Sequence, residues 1–289
     1  MDARLPLTSG TVNTRSMLLT CYGAFIRDLD GWVAVRDLVT LFADLGIESG
    51  ALRAALTRLK AGGTVVPEKQ GGRPGYRLSF ASEALVIEGE ERLHGHLVPA
   101  RVEDGWVLAV FSIPESRREQ RTLLTSRLEW LGYGLMAPGV RIAPAAQLPE
   151  TSATLRRLGL TDHVHLMRAT YEEFQRPEEL VRQWWDLDAI AEGYTDFLAE
   201  AQPVLQRWES SSTVDPREAF ADYVRVRTLW RRLPYLDPGL PDELYPGQWP
   251  RSRATGVFLH IDRLLRKPAL EHVQAVTGHT GPTPAPRTP

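Results

Sequence analysis

The sequence predicts an α+β protein of three domains, and three patterns along the chain support this. Helical spacing followed by two short strands comes first, alternating strand and helix patterns come next, and a tryptophan-rich helical region comes last. The 289 residues exceed the roughly 100–200 usual for one domain. We expect a winged helix-turn-helix domain at 1–81, a linker with a helix at 82–104, a ferredoxin-like domain at 105–173, a helical domain at 174–276 and a disordered tail at 277–289.

The predicted winged helix begins with three helices. Apolar residues recur at helical spacing over 16–29 and over 38–45, with a short β-type run between them. Ser49 is a suitable N-cap for a third helix, whose leucines would be buried. Its other side carries Arg53, Thr57 and Lys60 at i, i+4 and i+7. Two helices joined by a short turn indicate a helix-turn-helix.

A basic hairpin follows these helices. Strand-type runs at 64–66 and 76–78 flank a glycine-rich loop at 68–75, which would be the wing. The third helix would enter the major groove, and the wing cations would lie along phosphates. The candidate DNA contacts are therefore Ser49, Arg53, Thr57, Arg58, Lys60, Lys69, Arg73 and Arg77. The alternative is a solvated helix face beside a hairpin whose cations are incidental.

The middle of the chain alternates strand and helix patterns. Strand-type runs lie at 106–111, within 133–142 and at 163–170, and the segments 115–131 and 150–158 have helical spacing. The 133–142 stretch contains two short strands around Ala137-Pro138-Gly139. The resulting β-α-β-β-α-β order is that of the ferredoxin-like fold.

The C-terminal region combines arginines with aromatic residues. One predicted helix carries Arg225, Arg227, Arg231 and Arg232 beside Tyr223 and Trp230, and five prolines within 234–250 argue against regular helix there. Guanidinium groups beside aromatic rings can bind a phosphorylated ligand that has an aromatic portion. In the alternative, the tryptophans fill a helical core and the arginines pair with Glu218, Asp222 or Asp237. The residues alone leave both open.

Charge and cysteine usage exclude several classes of protein. Residues 1–80 hold ten basic and seven acidic side chains, a net +3, which leaves −5 on the rest of a chain whose total is −2. A uniformly polycationic binder is excluded, but a local basic face is not. Cys21 is the only cysteine, so an intrachain disulfide and a CxxC metal site are excluded.

Common sequence signatures of enzymes and membrane proteins do not occur in this sequence. No Walker loop, dinucleotide fingerprint, GxSxG elbow or zinc spacing occurs, and the pairs His94/His96 and His163/His165 lack metal-site spacing. Neighbouring carboxylates at 172/173, 178/179 and 186/188 are typical of solvated helix faces. No apolar run reaches the roughly 18 residues of a membrane helix, and the first ten residues lack a signal-peptide layout. We expect a cytoplasmic protein that is not an enzyme and has no metal, cofactor or membrane partner.

Three strings in the sequence are specific enough to indicate a family: Leu52–Leu59 with its hairpin, Leu128–Pro138 and the proline-punctuated Leu236–Trp249. Through them, the chain resembles the PaaX family of bacterial transcriptional repressors over about residues 16–268. The resemblance implies a winged helix, a central domain similar to a small CRISPR adaptation nuclease and a helical C-terminal domain. It also implies homodimers that bind palindromic operators of aromatic-acid catabolism and release them when an aryl-CoA thioester, typically phenylacetyl-CoA, binds.

The resemblance can be carried over only to matching positions. It places Arg53, Thr57 and Arg58 in the recognition-helix string and Arg231 and Arg232 as the double arginine before the proline-rich segment. No motif fixes the ligand residues, and we select Arg231, Arg232, Tyr235 and Trp249 as candidates. Where the nuclease relatives have a metal-binding aspartate, this chain has Ser112, which cannot supply a carboxylate for Mg²⁺. The central domain is therefore expected to serve as a scaffold or dimer surface rather than as a nuclease.

The leading hypothesis is a dimeric repressor whose CoA ligand lies between the central and C-terminal domains. The alternatives are a constitutive DNA-binding or assembly protein without an effector, and a metal-dependent nuclease.

Overall fold

The structure is a computed structural model that describes residues 12–95, 100–172 and 174–279, and it divides into two compact units. The first unit comprises the chain up to Gly95 together with 197–231 and the chain from Arg253 onward; the second comprises 96–196 and 232–252. Helices and two small sheets make the protein α+β, as predicted. His96 and most of the predicted tail lie outside the described residues.

Eleven α-helices and seven strands occur in the described ranges. The helices are α1 (Thr14–Ala24), α2 (Val35–Asp44), α3 (Ser49–Ala61), α4 (Phe80–Gly95), α5 (Arg118–Trp130), α6 (Leu148–Leu158), α7 (Pro177–Trp184), α8 (Leu187–Glu209), α9 (Pro216–Trp230), α10 (Leu233–Leu236) and α11 (Arg251–Thr277). The strands are β1 (Trp32–Ala34), β2 (Val65–Gln70), β3 (Arg73–Leu78), β4 (Trp106–Phe111), β5 (Gly134–Ala137), β6 (Val140–Pro144) and β7 (Val164–Ala169).

The N-terminal part of the first unit contains α1, α2 and α3 followed by the β2–β3 hairpin. β1 joins the hairpin in an antiparallel sheet of order β1-β3-β2. α3 begins at Ser49, but its N-cap is Glu48, so the prediction that Ser49 caps this helix was wrong by one residue. The helix ends at Ala61, directly before Gly62.

The hairpin is longer, and its loop shorter, than the sequence indicated. β2 and β3 pair from Val65 opposite Leu78 to Gln70 opposite Arg73, which leaves only Gly71 and Gly72 unpaired. Both glycines have positive φ, 55° and 77°, as a tight two-residue turn requires. The prediction of a loop from 68 to 75 was wrong because backbone pairing extends through polar residues on an exposed hairpin.

Helices from the other end of the chain complete the first unit. The ring of Phe25, which follows α1, lies 5.9 Å from Phe220 and 5.6 Å from Tyr223 on α9. Trp230 of α9 stacks on Phe258 of α11 with 4.7 Å between ring centroids. All five rings are buried, so the N-terminal helices share one hydrophobic core with α9 and α11.

The second unit is built on a four-stranded antiparallel sheet of order β5-β6-β4-β7. β4, α5, β5, β6, α6 and β7 follow one another in the predicted order. Val107 and Ala109 are fully buried on one face of β4, whereas Leu108 points to the other face. There Leu108 pairs with Met167, which is 49% exposed.

The proline-rich segment of the second unit is organised around one buried carboxylate. Asp237 has no solvent exposure, and it accepts hydrogen bonds from five residues. The donors are Tyr194, Gly239, Tyr245, Trp249 and Arg251. A buried charge is stable only when it is paired in this way. Burial and the neighbouring Asp237 raise the pKa of the Tyr194 hydroxyl, which therefore keeps the proton that it donates.

One short helix occurs where the prolines argued against regular helix. α10 forms a single turn at the start of the segment, with Pro234 in the first-turn position, where its missing N–H costs no hydrogen bond. The rest of the segment up to Trp249 forms turns and one short 3₁₀ helix at Asp242–Leu244.

The buried carboxylate yields a stability prediction. Asp237→Asn leaves Arg251 facing an uncharged amide, which can also donate where Asp237 only accepts, and we expect the free energy of unfolding to fall by about 3 kcal/mol. The matched control is Asp242→Asn, because Asp242 bonds the same guanidinium at 2.6 Å but is 67% exposed. Its expected cost is below about 1 kcal/mol. Urea unfolding followed by tryptophan fluorescence measures both, and equal losses would contradict the central role of Asp237.

Candidate nucleic-acid interface and ligand cleft

The side of α3 opposite its leucines is exposed. Leu52, Leu56 and Leu59 are buried, whereas the predicted contacts on this helix all face solvent: Ser49, Arg53, Thr57, Arg58 and Lys60. Thr57 donates to the carbonyl of Arg53 at 2.9 Å, and Arg58 Nε donates to the carbonyl of Ala54 at 3.3 Å. Within the described part of the chain, the charged groups of Arg53 and Lys60 have no ion-pair or hydrogen-bond partner. They are available to an external anion.

The cations of the hairpin fall into two groups. Arg73 Nη2 contacts both carboxylate oxygens of Asp37, at 2.6 and 2.5 Å, and Asp37 is buried on α2. Arg77 donates to Glu68 and to the carbonyl of Asp30, each at 2.8 Å. The hydrogen bond between Arg77 and Glu68 lowers the pKa of the glutamate and raises that of the arginine. Both arginines thus tie the hairpin to the rest of the unit.

Lys69 differs from these two arginines. It pairs with Pro74 in the ladder, whereas Arg73 pairs with Gln70, so Lys69 and Arg73 point to opposite faces of the hairpin. The lysine is exposed, and among the described residues it has no ion-pair partner. Of the three hairpin cations predicted to contact DNA, Lys69 is the one whose charge is not already used inside the protein.

The turn between α2 and α3 is held from behind by the C-terminal helices. Arg217 of α9 donates to Asp44 at 2.6 Å, and His272 of α11 contacts the other oxygen of Asp44 at 2.8 Å. Arg225 of α9 donates to the carbonyl of Leu45 at 3.1 Å. These contacts, which we call the α2 clamp, were missed by sequence reasoning because Asp44 and Arg217 are 173 residues apart and no local pattern joins them.

The arginines of α9 bind protein groups. Arg227 is buried and contacts Glu90, the Tyr223 hydroxyl at 2.8 Å and Asp262 at 3.1 Å. Arg231 donates to the carbonyl of Ser16 at 3.2 Å. The packing alternative therefore describes Arg225, Arg227 and Arg231 better than ligand binding does. Arg227 pairs with Glu90 and Asp262, while Asp222 contacts Arg207 and Asp237 contacts Arg251.

The remaining ligand candidates lie in the second unit. Tyr235 is buried and stacks on Trp130 with 4.6 Å between centroids. Trp249 stacks on Tyr245 at 4.2 Å and donates to Asp237. Burial lowers the pKa of Arg232, the nearby member of the double arginine. The two aromatic candidates thus contribute to packing.

A cleft that the sequence did not indicate lies in the second unit. Its volume is about 430 Å³, and it is bounded by the start of β4, the end of β7 and α7. Its lining combines aromatic, apolar and charged side chains, chiefly Trp106, Tyr171, Trp184, Leu180, Leu244 and Arg168. We call it the aromatic cleft. The signal in the sequence was the tryptophan-rich stretch at 184–185, but the strand that meets it lies about 80 residues earlier.

The structure also bears on metal and membrane binding. No group of three His, Cys, Asp or Glu side chains within 12–95, 100–172 and 174–279 is arranged to hold a metal ion. His163 contacts Arg117 at 2.9 Å, and His165 is exposed on β7. Among the helices of these ranges, none is both long and apolar enough to cross a membrane.

Comparisons with known proteins agree along the chain. Three family profiles match in succession: PaaX-like protein at 13–81, PaaX protein central Cas2-like domain at 99–181 and PaaX-like protein C-terminal domain at 185–275. The transcriptional repressor PaaX of Escherichia coli K12 is 26% identical over 284 residues, which cover 95% of this chain and 88% of the relative. The solved structure of the uncharacterized protein Rv0674 from Mycobacterium tuberculosis shares the fold, with 22% identity and a TM-score of 0.54 over 91% of this chain and 100% of that one. The chain belongs to the PaaX family.

Proposed function

We propose that this protein is a DNA-binding transcriptional repressor of an aromatic-acid catabolic operon of the phenylacetate type, and that an aryl-CoA thioester such as phenylacetyl-CoA releases it from its operator. The observation that carries the DNA-binding part is the exposed, unpaired cationic face of α3. The relation to a repressor in Escherichia coli supports the regulatory role. The effector follows from the family resemblance.

The proposed reading head is a winged helix-turn-helix made of α2, α3 and the β2–β3 hairpin. α3 contains no acidic residue, so nothing on the helix itself repels phosphates. Arg53 would pair with a guanine edge in the major groove, and Lys60 and Lys69 would lie on phosphates. Ser49, Thr57 and Arg58 would contact bases or backbone beside them, whereas Arg73 and Arg77 keep the hairpin in place.

A palindromic operator requires a protein with two-fold symmetry, so we propose a homodimer. The sheet of the second unit supports the predicted dimer surface, because Leu108 and the exposed Met167 form an apolar pair on the face away from Val107 and Ala109. A dimer would present the exposed cations of α3 and Lys69 twice. No part of this proposal needs chemistry by the central domain, so we propose that the protein is not an enzyme.

Base and phosphate contacts can be separated experimentally. Arg53→Ala is expected to weaken operator binding about 10- to 100-fold, the loss of a bidentate base contact, with a smaller effect on unrelated DNA. Lys60→Ala is expected to weaken binding to operator DNA and to unrelated DNA equally. It should also reduce the slope of log affinity against log salt by about 1 for each phosphate contact that is lost. Fluorescence anisotropy with both DNAs at several salt concentrations measures this. Identical effects of the two substitutions on both DNAs would contradict the assigned roles.

The hairpin offers a second pair of variants. Lys69→Ala is expected to weaken DNA binding and leave the free energy of unfolding unchanged, because the lysine faces solvent. Arg73→Ala leaves the buried carboxylate of Asp37 without its partner and is expected to cost about 1–3 kcal/mol of stability. Thermal unfolding and anisotropy on the same samples test both. If Lys69→Ala alone reduces stability, the division between structural and DNA-facing cations is wrong.

The effector part is tested by titrating the protein–operator complex. Phenylacetyl-CoA is expected to release the DNA at concentrations at which CoA alone does not. An effector releases DNA only if it binds the DNA-free state of the protein more tightly than the DNA-bound state. Gel shift or anisotropy on the promoter of the protein's own gene cluster provides the readout. A panel of aryl-CoA thioesters without effect would favour a constitutive repressor. DNA cleavage that needs Mg²⁺ and stops with chelator would instead favour the nuclease alternative.

A further inference from the structure

We propose that the aromatic cleft of the second unit binds the aromatic acyl group of the effector. The inference rests on the proposed function in one respect, namely that the effector is an aryl-CoA thioester. It differs from the expectation in the sequence, which placed the ligand at Arg231, Arg232, Tyr235 and Trp249. The cleft is lined by other residues.

The walls of the cleft have the chemistry that recognises an aryl ring. Trp184 meets Trp106 at 5.7 Å and Tyr171 at 6.4 Å, in both cases edge to face at 81°. All three rings are partly exposed, whereas Trp130 and Trp230 are buried. Large aromatic side chains that remain partly exposed around a concavity are typical of a ligand site. A planar ring from a ligand would extend this edge-to-face arrangement.

The aromatic wall is fixed from behind. Trp185 stacks near Trp106 at 6.2 Å and donates its indole N–H to the carbonyl of Gly132 at 2.9 Å. Gly134 lies against the same indole, so closely that a Cβ there would come within 2.7 Å of the Trp185 ring. Because these contacts hold the ring positions without a ligand, little side-chain entropy is lost when a ligand binds.

The charges at the cleft are mixed. Glu103 is ion-paired with Arg101, and Asp104 accepts a hydrogen bond from the backbone N–H of Arg101. Arg168 lies at the end of β7, is exposed, and has no ion-pair partner among the described residues. It is placed to donate to the thioester carbonyl or to a phosphate of the ligand.

The size of the cleft sets what it can hold. A volume of about 430 Å³ lies within the ~300–1,000 Å³ range of small-molecule sites, and it suits an aryl-acyl group with the adjoining part of the thiol arm. The nucleotide end of CoA would extend beyond it. Trp184 also lines a neighbouring cleft of about 290 Å³, formed by residues 182–188. This second cleft gives the arm a path past α7 towards the start of α8.

The test uses full-length protein and three variants. Tryptophan fluorescence quenching by phenylacetyl-CoA, and its release of operator DNA, are measured for Arg168→Ala, Trp184→Leu and the matched control Arg121→Ala. Arg121 is a half-exposed arginine of the same unit that does not line the cleft. We expect the half-effective concentration to rise at least tenfold for the first two variants and to stay unchanged for the control. Circular dichroism and operator affinity without effector report whether each variant is folded.

A second probe isolates the ring itself. Acetyl-CoA has the same nucleotide and thioester but no aryl group, so wild-type protein should bind it more weakly than phenylacetyl-CoA. Trp184→Leu should reduce that preference, a change that general destabilisation does not produce. If Trp184→Leu does not fold, Tyr171→Ala replaces it, since this ring is partly exposed.

The outcomes separate the two proposals. If the cleft variants bind phenylacetyl-CoA as tightly as the wild-type protein does, the proposal that the cleft is the ligand site is wrong. If only Arg232→Ala loses binding, the ligand site lies where the sequence-based expectation placed it. Binding at the cleft without release of DNA supports the cleft and overturns the effector role. Absence of any phenylacetyl-CoA binding to the wild-type protein overturns both the cleft and the effector, while the DNA-binding part is judged by its own variants.

Discussion

The first unit depends on the buried guanidinium of Arg227. This group on α9 contacts Glu90 on α4 and Asp262 on α11, so one cation joins three helices from distant parts of the sequence. Removing it would take the guanidinium charge away from both carboxylates, which is far more costly than losing an exposed ion pair. Because α9 is fixed in this way, it supports the N-terminal helices along their length, as the bond between Thr228 and Thr20 also indicates. The part proposed to bind DNA is therefore not built from N-terminal residues alone.

The α2 clamp gives this architecture a consequence for regulation. Arg217, Arg225 and His272 contact Asp44 and Leu45, immediately before the turn that leads into α3. A shift of α9 or α11 would therefore move the turn that positions α3, and operator recognition is sensitive to displacements of that kind. The clamp thus supplies a physical contact through which a ligand-dependent change could alter DNA affinity.

Local patterns in the sequence predicted the helices and strands well, because apolar spacing is decided within a few residues. α3 and its exposed cationic face are examples, as is β4. The length of the hairpin loop was predicted wrongly because the paired residues next to the turn are polar and do not show a strand pattern. The string after Leu236 was noticed in the sequence, but the burial of Asp237 within it was not predicted. The partners of Arg217, Arg225 and Arg227 could not be predicted, since long-range ion pairs leave no periodic trace. The aromatic cleft was missed because its walls come from segments that are far apart in the sequence.

The near-neutral charge takes on a different meaning once the pairs are known. Arg73, Arg77, Arg217 and Arg227 each face a carboxylate, so these four charges are cancelled locally and contribute little to an external field. The cations on the α3 face and Lys69 are exposed, and their fields extend into solvent over about a Debye length. Contact with DNA through the α3 face and Lys69 alone would gain limited affinity from counterion release at one half-site. In the proposed repressor, recognition would therefore depend on base contacts and on the pairing of two half-sites, and the geometry between α3 and its symmetry mate would be the quantity that an effector changes.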